Sequence, residues 1–203
     1  MIECSVFLCG GVLMSFEILG SRVLAPHFGN SVYVWGSLIS VFLSGLTVGY
    51  WSGGNLADRR AEFRVLACLL GIPGLLLCCF PVYSDWVCNW IWDLDYDPRW
   101  GSLLASAILF FLPTFFMGAV SPYAVKLRIR EFERLGTGVG NLYAISSLGS
   151  ILGTLVTAFY LIGWMGVRKT ITGEGILLVG MGCLVWVIGD RKGRAKIDRV
   201  NGT

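Results

Sequence analysis

A chain of 203 residues that is 55% hydrophobic and only 14% charged lies outside the range of soluble domains, where about a quarter of residues are charged. With a mean hydropathy of +0.71, it is excluded from the water-soluble enzymes and predicted to be an all-α, polytopic integral membrane protein. The net charge of +3 suits anionic lipid headgroups and gives no reason to invoke nucleic acid.

Apolar runs long enough to cross about 30 Å of hydrocarbon at about 1.5 Å per residue lie near residues 5–25, 32–54, 64–83, 102–124, 139–162 and 169–189, six spans in all. They divide the chain into a six-helix transmembrane domain over 1–190 and a basic tail over 191–203. The first run carries Glu3 and no Lys or Arg at its head. It also extends past the core of a cleaved signal, so it is expected to be a retained helix.

Span one holds the first unusual feature, Glu17 just beyond the middle of an apolar run, with Arg22 five residues on. That spacing puts the two well off a common helical face, so each needs a partner elsewhere. Pro26 is expected to break the span, Gly29 and Asn30 to turn the chain, and Tyr33 and Trp35 to anchor it at the interface. His27 reads as a solvated turn residue. Span two repeats small residues at helical spacing, Gly36, Ser40 and Ser44 on one line and Gly45, Gly49 and Gly53 on the next, which allows close helix packing. The turn that follows, with Gly54, Asp58, Arg59 and Arg60, then Arg64, resembles the signature loop of major facilitator transporters. Asp58 is expected to cap span three there.

The connection from Tyr83 to Trp100 is the longest, and sets Asp85, Asp93, Asp95 and Asp97 among Trp86, Trp90, Trp92, Tyr96 and Trp100. Pro98 stands where a calcium loop requires glycine. Two readings stand: a cation-gathering loop built on Asp93, Asp95, Asp97, Trp92 and Tyr96, and an interfacial amphipathic segment with its tryptophans at the headgroups. Span four contains Pro113 and Pro122, and the basic stretch after it, to about Gly138, is expected to form a short surface helix. Span five again spaces small residues for close packing, from Gly140 to Thr154. A slide of 109 residues lays Gly54 on Gly163, Arg59 on Arg168 and Arg60 on Lys169, a weak inverted repeat that spans one and four do not extend. Span six holds Glu174 at a depth close to that of Arg22, and the two are expected to pair, because an unpaired charge there costs about 2.5 kcal/mol or more.

Arg59, Arg60, Arg64, Lys126, Arg128, Arg130 and Arg134 fall in two loops on one side, joined by the basic tail, against Arg22, Arg99, Arg168 and Lys169 on the other. Basic loops stay cytoplasmic, so both termini are expected there, in a multi-pass protein of the cell's inner (cytoplasmic) membrane. The seven cysteines show no CxxC spacing and the chain has one His, so neither metal nor other cofactor is expected.

Four stretches, Glu17–Ser37, Gly49–Arg60, Gly118–Leu127 and Gly140–Thr154, together resemble the membrane-embedded part of the bacterial proteins that fuse a major-facilitator region to a spermidine-synthase-like domain. The resemblance implies half of a major-facilitator bundle. In that family a Rossmann-like aminopropyltransferase-type domain follows, whereas this sequence stops at Thr203 with no glycine-rich nucleotide loop. The expectation is therefore a non-catalytic membrane anchor or subunit that works with a separate spermidine-synthase-like partner. The alternative is a small transporter module for a polyamine or another cation, with Glu17 as its intramembrane site, working as an oligomer. No Ser/His, Asp/Asp or His-Glu-x-x-His arrangement supports an enzyme acting within the membrane.

Overall fold

The computed structural model describes the backbone of residues 1–129 and 135–201 and the side chains of residues 1–128 and 136–190. It is all-helical: α1 (Ile2–Phe28), α2 (Val32–Arg59), α3 (Phe63–Asp93), α4 (Pro98–Ile129), α5 (Leu135–Val156), a π-helical turn (Thr157–Leu161), α6 (Ile162–Trp164) and α7 (Val167–Asn201). Six helical stretches are long and apolar enough to cross a membrane, the fifth running from Gly136 through the π-turn to Trp164.

The helix ends explain themselves locally. α1 passes through Pro26, contrary to expectation, and stops at Gly29, whose φ of 75° is open to glycine. Pro26 lies in the last turn, where the chain was about to leave the helix. Ser31 then caps α2 by accepting from the Val34 amide at 3.4 Å. The turn between α2 and α3 is held from outside by Tyr123 of α4, whose hydroxyl donates to the Arg60 carbonyl and accepts from the Glu62 amide at 2.8 Å.

The long connection read between Tyr83 and Trp100 is mostly helix. α3 continues to Asp93, so only residues 94–97 join it to α4. Trp86 and Trp90, one turn apart, stack with centroids 6.3 Å apart, and Cys88 is buried, so aromatic pairs support the helix where its aspartates weaken it. The surface helix expected after span four is α4 itself as far as Ile129; residues 130–134 lie outside those described, as do the side chains of the basic tail.

Three helix pairs carry the packing: α2 on α4, α3 on α7 and α1 on α5. Glycines set the register at each crossing. Gly45 lies against the Phe111 carbonyl, Gly49 against the Phe115 carbonyl and Gly53 against Ala119; Gly149 lies against the Phe7 carbonyl and Gly153 against the Gly11 carbonyl. Thr157 bonds Ser15, with 2.5 Å between the hydroxyl oxygens. The first set of contacts becomes the second when 104 is added to the α2 number and taken from the α4 number: 45/111 gives 149/7, 49/115 gives 153/11 and 53/119 gives 157/15. α3 and α7 also begin 104 residues apart, at Phe63 and Val167. The ion pairs obey the same exchange to within one residue, Arg64 with Asp190 and Arg168 with Asp85.

α1 and α4 run in opposite directions, since Phe16 stacks on Phe110 while Cys9 lies at the Met117 carbonyl. The second three-helix unit is therefore an inverted copy of the first. The slide of 109 residues is corrected to 104, and the repeat takes in spans one and four. Loop charges suggested the wrong offset because loops tolerate insertions, whereas a crossing at backbone contact does not.

Candidate functional site

Two sites back onto opposite faces of α1. The first is a pocket of about 220 Å³ between α1, α2, α4 and α5. Its walls include the exchange mates Leu13 and Met117, Met14 and Gly118, and Leu46 and Ser150, so it straddles the pseudo-two-fold axis. Ser121 and the half-buried Ser146 add hydroxyls, and the wall on α5 includes the exposed Tyr143. Glu17 is the mate of Ser121 by the same exchange of 104. It is half-buried and makes no hydrogen bond or ion pair among the described residues. It stands one turn along α1 from Leu13 and Met14, on the face that lines the pocket.

The second site is built around Glu174. Glu174 is 6% exposed; its Oε1 accepts a hydrogen bond from Ser15 Oγ, and Oε2 has no partner among the described residues. Ser15 is in turn bonded to Thr157, the first residue of the π-turn. The i→i+5 pattern of that turn is seen in the Ile162 amide donating to the Thr157 carbonyl, and such turns inside helices recur at functional sites. A pocket of about 210 Å³, lined by Gly11, Val12, Leu152, Val156 and Leu177 among others, opens at the carboxyl.

The expected pairing of Arg22 with Glu174 is corrected. Arg22 is exposed, and no ion pair joins it to Glu174 among the described residues. Glu174 meets α1 at Ser15, seven residues before Arg22, or about 10 Å along the helix. Arg22 instead borders a separate pocket beside the Arg168–Asp85 pair.

Two of the turn residues tie helices together. Asp58 does not cap α3; it sits in the last turn of α2 and accepts from Lys126 Nζ at 2.6 Å, tying α2 to α4. Arg59 and Arg60 are exposed, and a Cβ at Gly54 would meet nothing within 4 Å. Arg64 pairs with Asp190 at 2.5 Å and lies 5.7 Å over the Trp186 ring.

Asp93, Asp95, Asp97, Trp92 and Tyr96 are all exposed. Asp97 caps α4, accepting from the Arg99 amide at 2.9 Å, and Trp92 meets the edge of Phe28 at 6.4 Å between centroids. No group of three or more metal-ligating side chains exists among the described residues.

Ser15 and Thr157 were not singled out in the sequence, where a lone Ser and a lone Thr in apolar helices look ordinary. Only a repeat offset of 104 would have flagged them, by setting them against Ala119 and Gly53. Comparison with protein-family models, with curated proteins and with solved structures returns no match.

Proposed function

We propose that this chain is a multi-pass module of transporter type in the inner membrane, moving a polyamine or another cation and working as an oligomer. One observation carries the reading: the pocket lies on the axis of an inverted three-helix repeat. In transporters built from such repeats, binding sites lie near the bilayer midplane where the repeats meet. Glu17 supplies the negative charge one turn above that pocket, and intramembrane carboxylates mark ion and substrate paths. The faces of α2 and α5 beside it expose Leu43, Thr47, Leu148 and Ile151, so a second copy would close the path. Both termini are cytoplasmic in this reading, with Arg59, Arg60, Lys126 and Arg128 at that end.

The exposed Arg59 and Arg60 favour a second reading, in which this basic end docks a spermidine-synthase-like partner and the chain is its membrane anchor. Uptake of labelled spermidine and of monovalent cations into proteoliposomes decides between them. Transport that falls at least about tenfold in Glu17→Gln, the cost of losing about 1.4 kcal/mol of interaction, supports the first. A chain that moves no cation but co-purifies with a soluble aminopropyltransferase-like protein supports the second.

A further inference from the structure

We infer that Glu174, Ser15 and Thr157 form a proton-binding site, distinct from the axial pocket and separated from it by the thickness of α1. The inference goes beyond transport and needs no substrate.

The inverted repeat is the first support. Where the α1/α5 crossing brings Ser15, Thr157 and Glu174 together, the exchange of 104 places Ala119, Gly53 and Leu70 at the mated α2/α4 crossing, all buried. At these three positions one crossing thus carries no side-chain polar atom and the other carries three polar side chains; the hydroxyl the α2/α4 crossing does bury, on Thr114, lies at Gly45 instead. The fold does not require them. α2 stays α-helical through Gly53, whereas its counterpart opens into the π-turn at Thr157, so the irregular backbone and the polar set coincide.

The second support is the orphaned oxygen. Burying a carboxylate without a cation costs several kcal/mol, and a buried acceptor is normally bonded. Among the described residues no cation pairs with Glu174: Arg22 of α1 lies seven residues beyond Ser15, Arg64 of α3 pairs with Asp190, and on α7 Arg168 pairs with Asp85 while Lys169 is exposed. α1 presents Ser15, with Glu17 two residues on and about 200° round the helix at 3.6 residues per turn. The π-turn presents Thr157. α3 presents Cys78, whose Sγ lies at the Thr172 carbonyl.

A proton removes the charge, the larger of the two costs. Bound at Oε2, it makes the group a neutral acid, while Oε1 keeps the hydrogen bond from Ser15 and Ser15 keeps its bond with Thr157. An alkali cation would need more side-chain oxygens than this set offers, because the remaining wall is leucine, valine, phenylalanine and helical glycine. Ser15 lies two residues, about 3 Å along α1, from Leu13 of the axial pocket. Gain or loss of the proton therefore acts on the helix that both sites share.

Infrared spectroscopy of the full chain in lipid nanodiscs, stepped from acid to alkaline pH, reads the site directly. The expected result is the carbonyl stretch of a protonated carboxylic acid at neutral pH. It should disappear in alkali, be missing from Glu174→Gln, remain in Glu17→Gln and be indifferent to sodium and potassium. Only ionised carboxylates at neutral pH, a band that survives Glu174→Gln, or one removed by Glu17→Gln, would overturn it. Loss of the band on adding sodium would overturn it in favour of a cation site. Should Glu174→Gln not fold, Ser15→Ala removes the donor to Oε1. A shifted band in that variant supports the site, and an unshifted one counts against it.

Discussion

The two mated crossings of this molecule solve one packing problem with different chemistry. At the α2/α4 crossing, Gly45, Gly49 and Gly53 bring backbone onto backbone down to Ala119; at the α1/α5 crossing, Gly149 and Gly153 do the same until Thr157 meets Ser15. Without a hydrophobic drive between helices in lipid, such close approach supplies association through van der Waals contact. The glycines are therefore the shared scaffold, and the departure at Ser15, Thr157 and Glu174 is an addition to it.

The largest effect expected is from filling a crossing. In Gly49→Val and Gly153→Val the new side chain meets the Phe115 or Gly11 main chain, which cannot retreat as a side chain would. Each should cost more than the ~1–3 kcal/mol of ordinary overpacking and be read as loss of the monodisperse peak in gel filtration. Gly36→Val, with nothing within 4 Å of a Cβ, should leave that peak in place. If only one crossing were sensitive, the equivalence of the halves would fail.

Next comes the polar set. Ser15→Ala alone takes the donor from Glu174 and should lower the thermal midpoint by an amount corresponding to about 1–3 kcal/mol, the usual cost of stranding a buried polar group. Ser15→Ala, Thr157→Ala and Glu174→Leu together give this crossing the apolar character of its mate at α2/α4. That triple variant should be at least as stable as the parent, as when hydrogen-bonded polar partners are replaced together by apolar groups. A triple variant less stable than Ser15→Ala would mean that the polar set holds the fold.

The turns also differ between halves. Residues 60–62 are held by the Tyr123 hydroxyl, whereas the turn before α7 relies on Gly166 at φ 77° and on Thr170, whose amide and hydroxyl both bond the Gly166 carbonyl. Tyr123→Phe should cost about 1–2 kcal/mol and speed amide exchange at Glu62 while leaving Thr170 unchanged. Smallest of all, Arg64→Ala and Arg168→Ala break exposed ion pairs that occupy mated positions. Each should lower stability by no more than about 1 kcal/mol, by similar amounts, and less in high salt.

Much of this was legible from residues alone. Six long apolar runs became helices, and the Gly45, Gly49 and Gly53 line of span two and the Gly149 and Gly153 pair of span five became crossings, because a 3.6-residue period fixes which side chains share a face. The line of Gly36, Ser40 and Ser44 is exposed, since spacing alone does not say which small face meets a neighbour. The connection after span three was misread because its aspartates and tryptophans resemble loop composition, while Trp86 and Trp90 stack one turn apart within a continuing helix. Glu174 stood out as an ionisable group in an apolar span, but counting residues from the span ends set it level with Arg22, whereas it meets α1 at Ser15, about 10 Å along the helix.

The sequence by itself determined the class of molecule, the number of helices long enough to span a bilayer and the faces on which they touch. These follow from local quantities, the length of apolar runs and the helical period. Only the tertiary structure decided which helices pair, that the repeat advances by 104 residues, and that Ser15, Thr157 and Glu174 meet. Contacts between residues more than 140 positions apart, such as Ser15 with Thr157, depend on how six helices are arranged around one another, and no local pattern encodes that arrangement.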